Sequence, residues 1–181
     1  DQGRLPRSHG DSGPAPRLLG CYHAIGLGVD AVAFLDADNW YGPNHIADLL
    51  AAMDKEKADF VSSSRTLCRL DGSEMGPCPL TDPEQFIDTN AMLFGKRAFH
   101  QLHHWVLMPS YGHLIGDRIM LNHVRRSKLK RHHLNQGSVF YRCAKEGLYR
   151  QMGEAIPEGV QPRPDYEASF RQWEADGQPP L

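Results

Sequence analysis

Residues 30–35 form a short apolar run that stops abruptly at Asp36-Ala37-Asp38-Asn39-Trp40-Tyr41, and this break constrains the fold more than any other feature of the chain. Six residues with Val32 and Phe34 in weak alternation are too few for a helix and suit a buried strand. Upstream, Leu18, Cys21, Tyr22 and Ile25 fall at helical spacing before Gly26 and Gly28, which predicts a helix ending near Leu27. Downstream, Pro43 sits where the first turn of a helix tolerates proline, and Ile46, Leu49, Leu50 and Met53 line one apolar face. Helix, strand, polar loop and helix in that order point to an α/β fold: an open, mixed, mostly parallel sheet flanked by helices.

The same reading along the chain predicts strands at 58–64 and 66–70 and a tight turn at Asp71-Gly72. It also predicts a strand at 91–94 with a helix marked by Phe99, Leu102 and Val106, a further helix opened by Gly116, and an edge strand at 138–142. The first 16 residues carry turn chemistry. Residues 1–150 are expected to form the domain, and 151–181, with five of the 13 prolines, a tail without packing.

At 181 residues the chain is long enough for one core. Twenty basic against 22 acidic side chains give no bulk positive field for nucleic acid or an anionic membrane. No apolar run has the length of a membrane span and no signal peptide opens the sequence, so the expected location is cytoplasmic and the four scattered cysteines are expected to be reduced thiols.

On a strand, side chains repeat every second residue, so Asp36 and Asp38 leave the same face at the strand's carboxyl end, where α/β sheets bind ligands. Two converging carboxylates repel unless a positive group lies between them. A hard divalent ion with oxygen ligands, Mg or Mn carrying a diphosphate, answers that need. A solvated acidic loop is the competing reading of the same residues.

An apolar strand, D-A-D, the aromatic pair Trp40-Tyr41, Pro43 and an amphipathic helix together resemble the D-x-D segment of glycosyltransferases with the A-type nucleotide-sugar fold, most closely the inverting group called family 2. His9-Gly10-Asp11-Ser12-Gly13 with Pro16-Arg17 and Gly20 is similar to the family's glycine-containing turn and arginine. Ile87-Asp88-Thr89-Asn90-Ala91-Met92-Leu93 is similar to its acceptor-side strand, and Gly116-Asp117-Arg118 to its acidic catalytic motif. The resemblance implies transfer of a sugar from a nucleotide-diphosphate donor, a UDP-sugar first among them, to a saccharide or other hydroxyl acceptor. It implies that Asp38 ligates the metal, that Asp36 meets the ribose or the metal through water, and that Asp117 is the general base. A late histidine, His132 or His133, stands beside the metal in that scheme, and Asp11 and Arg17 bind substrate.

Two departures accompany the resemblance. Arg118 follows Asp117 where a second acid is common, and Asn39 stands where a third aspartate is frequent. Only 35 residues precede Asp36, whereas one strand–helix–strand unit takes about 30 or more, so the nucleotide-base pocket is expected to be reduced, absent or supplied by a partner chain or a missing N-terminal segment.

Other residues carry two readings each. Trp40, Trp105 and Tyr111 suit stacking on sugar faces or plain packing, and Thr89 and Asn90 suit sugar hydroxyls or local backbone. Arg17, following a Gly-Pro loop at a helix start, suits a phosphate or a salt bridge. The six basic residues between Arg118 and Arg131 suit a phosphate clamp or a solvated helix face. His103-His104 and His123 are expected to be ordinary imidazoles. Two other functions compete: a non-catalytic binding or scaffold module, and an aspartate-dependent phosphatase with Asp36 as nucleophile.

Overall fold

The computed structural model describes residues 13–181; Asp11 lies outside them. Gly13 takes a φ of 83°, which glycine tolerates, and Pro14 opens α1 (Pro14–Gly26). There follow β1 (Ala31–Ala33), β2 (Trp40–Tyr41), α2 (His45–Glu56), β3 (Phe60–Cys68) and β4 (Glu74–Pro77). A 3₁₀ turn over Thr89–Ala91 leads into β5 (Met92–Gly95). Further 3₁₀ turns precede α3 (His104–Leu107) and α4 (Gly116–Arg126), and β6 (Arg131–Arg142), α5 (Glu146–Met152) and α6 (Tyr166–Ala175) complete the chain.

The strands form one mixed sheet in the order β1-β5-β3-β6-β2, with β4 also on β3. β3 is its spine. One edge of β3 runs parallel to β6 along its whole length, while the other is shared by β5, opposite Phe60–Ser62, and β4, opposite Thr66–Cys68. Residues 63–65 between them are covered by no strand on that edge, and the segment joining β4 to β5 passes there, its Cys78 N–H donating to the Arg65 carbonyl at 3.0 Å.

The mixed, helix-flanked α/β sheet is as expected, but its parallel share is smaller. Only β3–β6 is a parallel ladder; the other four pairings are antiparallel. The cause lies in the hairpin at Gly72, whose φ is 89°. Once the chain turns back there, β4 and then β5 both descend the same edge of β3, and β5 separates β1 from β3.

Three local expectations change as well. The strands expected at 58–64 and 66–70 are one strand, because Arg65 finds a buried partner and does not interrupt it. The strand expected at 138–142 begins at Arg131 and is not an edge, since the two-residue β2 pairs with it. The prolines of the last 31 residues lie outside helices α5 and α6, and the tail is packed: Trp173 is 4% exposed and joins the main core.

That core is built on Phe34, Phe60 and Phe94, whose rings meet edge to face at 5.9 and 5.0 Å, with Trp105 against Phe34 at 5.7 Å. On the other face Leu49 and Ala52 of α2 cover Val61 and Leu93. All four cysteines are free. Among the described residues no helix is long and apolar enough to cross a membrane.

Trp173→Ala is expected to destabilise the domain by about 3–5 kcal/mol in urea denaturation. A loss below about 1 kcal/mol would mean that the C-terminal helix is not part of the folding unit.

Candidate active site

The site grows from the uncovered stretch of β3. Arg65 lies there, buried, and a buried cation needs a partner. Asp88 supplies it: Arg65 Nη1 donates to Asp88 Oδ2, and each side chain is only 5% exposed. Burial, the largest single influence, weakens the Arg65 cation, but Asp88, Cys78 and Tyr141 together outweigh it and lift the guanidinium above its ordinary pKa. The guanidinium also lies over the Tyr141 ring, 4.1 Å from its centre.

Asp88 is also the cap of the 3₁₀ turn, with Oδ1 accepting from the Asn90 backbone N–H at 2.9 Å and from Asn90 Nδ2 at 2.7 Å. In the β1–β5 ladder Ala33 faces Leu93, and carrying that register three residues further sets Asp36 opposite Asn90. The side chains follow: the Asp36 N–H donates to Asn90 Oδ1 at 2.6 Å, and Asn90 Nδ2 donates to Asp36 Oδ2 at 3.2 Å. One amide thus joins two carboxylates. From the first turn of α1, Arg17 donates to Asp36 Oδ1 at 2.6 Å while stacking on Trp105 at 5.1 Å. The result is a continuous belt, Arg17–Asp36–Asn90–Asp88–Arg65, from the carboxyl end of β1 to the uncovered stretch of β3.

Asp117 joins this belt from the first turn of α4, where Thr89 Oγ1 donates to its Oδ1. Burial and the nearby Asp88 charge disfavour its ionised form, the Thr89 hydrogen bond and Arg17 and Arg65 oppose them, and the carboxyl is pushed up to about 7. Asp117 opens onto a cleft of about 510 Å³ that it lines with Asp88, Arg65, Tyr141 and Arg118. Tyr41 borders the belt from β2, its hydroxyl donating to the Phe34 carbonyl, and burial with the charges of Asp88 and Asp36 raises its phenol above the ordinary range.

The structure therefore brings together Asp36, Arg17, Thr89, Asn90 and Asp117. Thr89 and Asn90 hold carboxylates, and Arg17 makes the salt bridge with Asp36. Asp38 is exposed beyond β1, and no hydrogen bond or ion pair engages it among the described residues. Trp40 is drawn away: it stacks on Phe140 at 5.5 Å under the Arg142 guanidinium, as a two-residue strand paired with β6 requires. Asn39, buried, accepts the Arg142 N–H at 2.9 Å, a structural task that an aspartate is not needed for.

His132 is not brought to the acidic pair. It pairs with Val61, three strand spacings of about 4.8 Å from β1, so it lies about 14 Å to the side in a separate hollow with Phe60, Ser62 and Glu84. His133 has both ring nitrogens engaged, by Ser62 and Ser64 at 2.9 and 3.3 Å. His104 stacks on His123 at 3.5 Å, and burial with its histidine neighbours pushes it down to about 4. Among the described residues no group of three or more His, Cys, Asp or Glu side chains converges on a metal position. A divalent ion can be held here only as a hard ion often is, by one or two carboxylates with phosphate and water completing its shell, and the open carboxylate of Asp38 fits that donor set.

Arg65, Asp88, Tyr41 and Tyr141 are site residues that sequence reasoning did not select. Asp88 and Tyr41 stand within motifs already named but without a role there; the further signals are a lone arginine within a strand-like run and a lone aspartate after Phe86-Ile87, each a charge bound for burial.

A family model, Glycosyl transferase family 2, matches residues 15–125, more than half of the chain, which belongs to that family. Its domain is accordingly glycosyltransferase-like. No curated protein matches the chain significantly.

Arg65→Met is expected to cost about 3–5 kcal/mol by leaving Asp88 buried and unpaired, and adding Asp88→Asn to restore part of that loss in urea denaturation. Strict additivity of the two substitutions would show that the charges do not act as a pair.

Proposed function

We propose that this domain transfers a sugar from a nucleotide-diphosphate donor, a UDP-sugar in the first instance, to an acceptor hydroxyl with inversion at the anomeric carbon. The observation that carries the reading is Asp117: a carboxyl poised near neutrality, opening onto a cleft, and tied through Thr89 to the same short turn that fixes Asp36. A base needs a pKa near the working pH to accept a proton and yet be ionised beforehand.

In this scheme Asp117 takes the hydroxyl proton of the acceptor as its oxygen attacks the anomeric carbon from the face opposite the departing diphosphate. Thr89 holds Oδ1, which leaves Oδ2 for the proton. Arg65 and Arg17 favour the ionised base from a distance, while Asp88 keeps it from becoming too weak a proton acceptor. Asp38 would hold Mn or Mg, which supplies positive charge to the leaving diphosphate. Asp36, with both oxygens engaged by Arg17 and Asn90, would meet the ribose or a water of the cation. That engagement also removes the reason to treat Asp36 as a phosphatase nucleophile. The second reading is a domain that binds nucleotide without turnover.

Two measurements separate these readings. UDP with Mn is expected to raise the melting temperature of the chain, and Asp38→Asn to abolish the gain. No shift with any nucleoside diphosphate would overturn the donor assignment. Asp117→Asn is expected to keep the UDP–Mn shift while lowering UDP release from a panel of UDP-sugars by about 100-fold or more. Full binding with no turnover in the unaltered chain would establish the binding module instead.

A stability test reads the same carboxyl. Because its folded pKa lies above the unfolded value of about 3.9, the protonated form favours folding, and that contribution is lost as pH rises through about 7. Asp117→Asn is therefore expected to melt higher than the unaltered chain at about pH 8, the difference shrinking toward about pH 4. A lower melting temperature at the alkaline end would contradict a desolvated Asp117.

A further inference from the structure

The cleft beside Asp117 carries more positive charge than its own acids neutralise. Arg65, Arg118, Lys145, Arg150 and Arg163 line it against Asp88 and Asp117. Arg65 is committed to Asp88, while Arg150 and Arg163 pair with Glu146 and Glu167 at 3.1 and 2.6 Å. Arg118 and Lys145 have no carboxylate within ion-pair distance among the described residues. Arg118 Nη1 donates to the Gln85 carbonyl at 2.9 Å, and Lys145 Nζ donates to Gln161 Oε1. An arginine with one nitrogen on a neutral carbonyl keeps most of its fork for another acceptor.

The surroundings of Arg118 add to this. Its guanidinium lies 5.1 and 5.7 Å from the ring centres of Phe86 and Phe170, between two apolar faces. Burial lowers its pKa despite the opposing charges of Asp117 and Asp82, so the cation is held at a cost that a bound anion would relieve. Its position in the fold decides which substrate that anion belongs to. Arg118 and Asp117 are consecutive in the first turn of α4, and neither Asp36 nor Asp38 lines the cleft. The spare cations therefore stand on the side of the base, away from the acids assigned to the donor diphosphate.

We propose that the acceptor carries an anionic substituent, a carboxylate or a phosphate, gripped by the Arg118 fork with Lys145 beside it. Held there, an acidic saccharide rests in the cleft against Tyr166, with a hydroxyl presented to Asp117. Calling this ligand the acceptor rests on the transferase reading; the anion site itself does not.

The test is calorimetric titration of the full chain with glucuronate, glucose 6-phosphate and glucose, and separately with UDP and Mn. At least one anionic sugar is expected to bind about tenfold or more tightly than glucose, the two arms telling carboxylate from phosphate. Arg118→Gln is expected to erase the preference, Arg118→Lys to keep part of it, and both to bind UDP–Mn as before. Lys145→Gln, at the rim, gives a smaller loss and serves where Arg118→Gln melts early. Equal binding of the three sugars, or a preference unchanged in both Arg118→Gln and Lys145→Gln, would overturn the proposal. So would loss of UDP–Mn binding in a folded Arg118→Gln chain, which would assign the cation to the donor. UDP–Mn binding without anion preference would sink this inference alone, whereas anion preference with no binding of any nucleoside diphosphate would uphold the site and sink the transferase reading.

Discussion

The buried ion pair between Arg65 and Asp88 is the constraint on which the site depends. Neither charge is tolerable in that position alone, so the segment between β4 and β5 must deliver Asp88 to the uncovered edge of β3. Everything else follows by short links. Asp88 caps the turn that carries Thr89 and Asn90, Asn90 holds Asp36 in register, and Thr89 holds Asp117. The same pair sets the electrostatics, since the Asp88 charge helps raise Asp117 while the Arg65 charge limits the rise.

This arrangement explains how one chain can support two tasks in a small space. On the side of Asp36 and Asp38 the carboxylates are partly open, and the nearest cation, Arg17, is tied to Asp36. On the side of Asp117 there is a cleft, a carboxyl near neutrality and an arginine fork with little to hold. The belt separates the two, which is what the proposed transfer requires of donor and acceptor sides that do not share ligands. The family's departures in this chain have local roles: Asn39 binds the end of β6, and Arg118 takes a place where an acid would raise the Asp117 carboxyl further.

What could be read from the sequence was what depends on short-range pattern. The apolar run ending at Asp36, the helix behind Pro43 and the helix opened by Gly116 are each written in consecutive residues. Pairings across the sheet are not. Nothing near Arg65 tells that Asp88 will neutralise it, and that ignorance split β3 into two expected strands. β2, with only two residues, is too short to show a period, so its partner β6 was expected at an edge. Resemblance alone sets His132 beside the metal, whereas the β3–β6 register, invisible in the sequence, pairs it with Val61. The proline-rich end misled in the same way, because its prolines sit in the connections while Trp173 supplies the buried contact.

The most direct test of the account is the titration of the Asp117 carboxyl by carbon-13 NMR in the unaltered chain and in Asp88→Asn. A desolvated acid beside a like charge predicts a midpoint near 7 that falls when Asp88 is neutralised. A midpoint near the ordinary value of about 3.9, unmoved by Asp88→Asn, would contradict it.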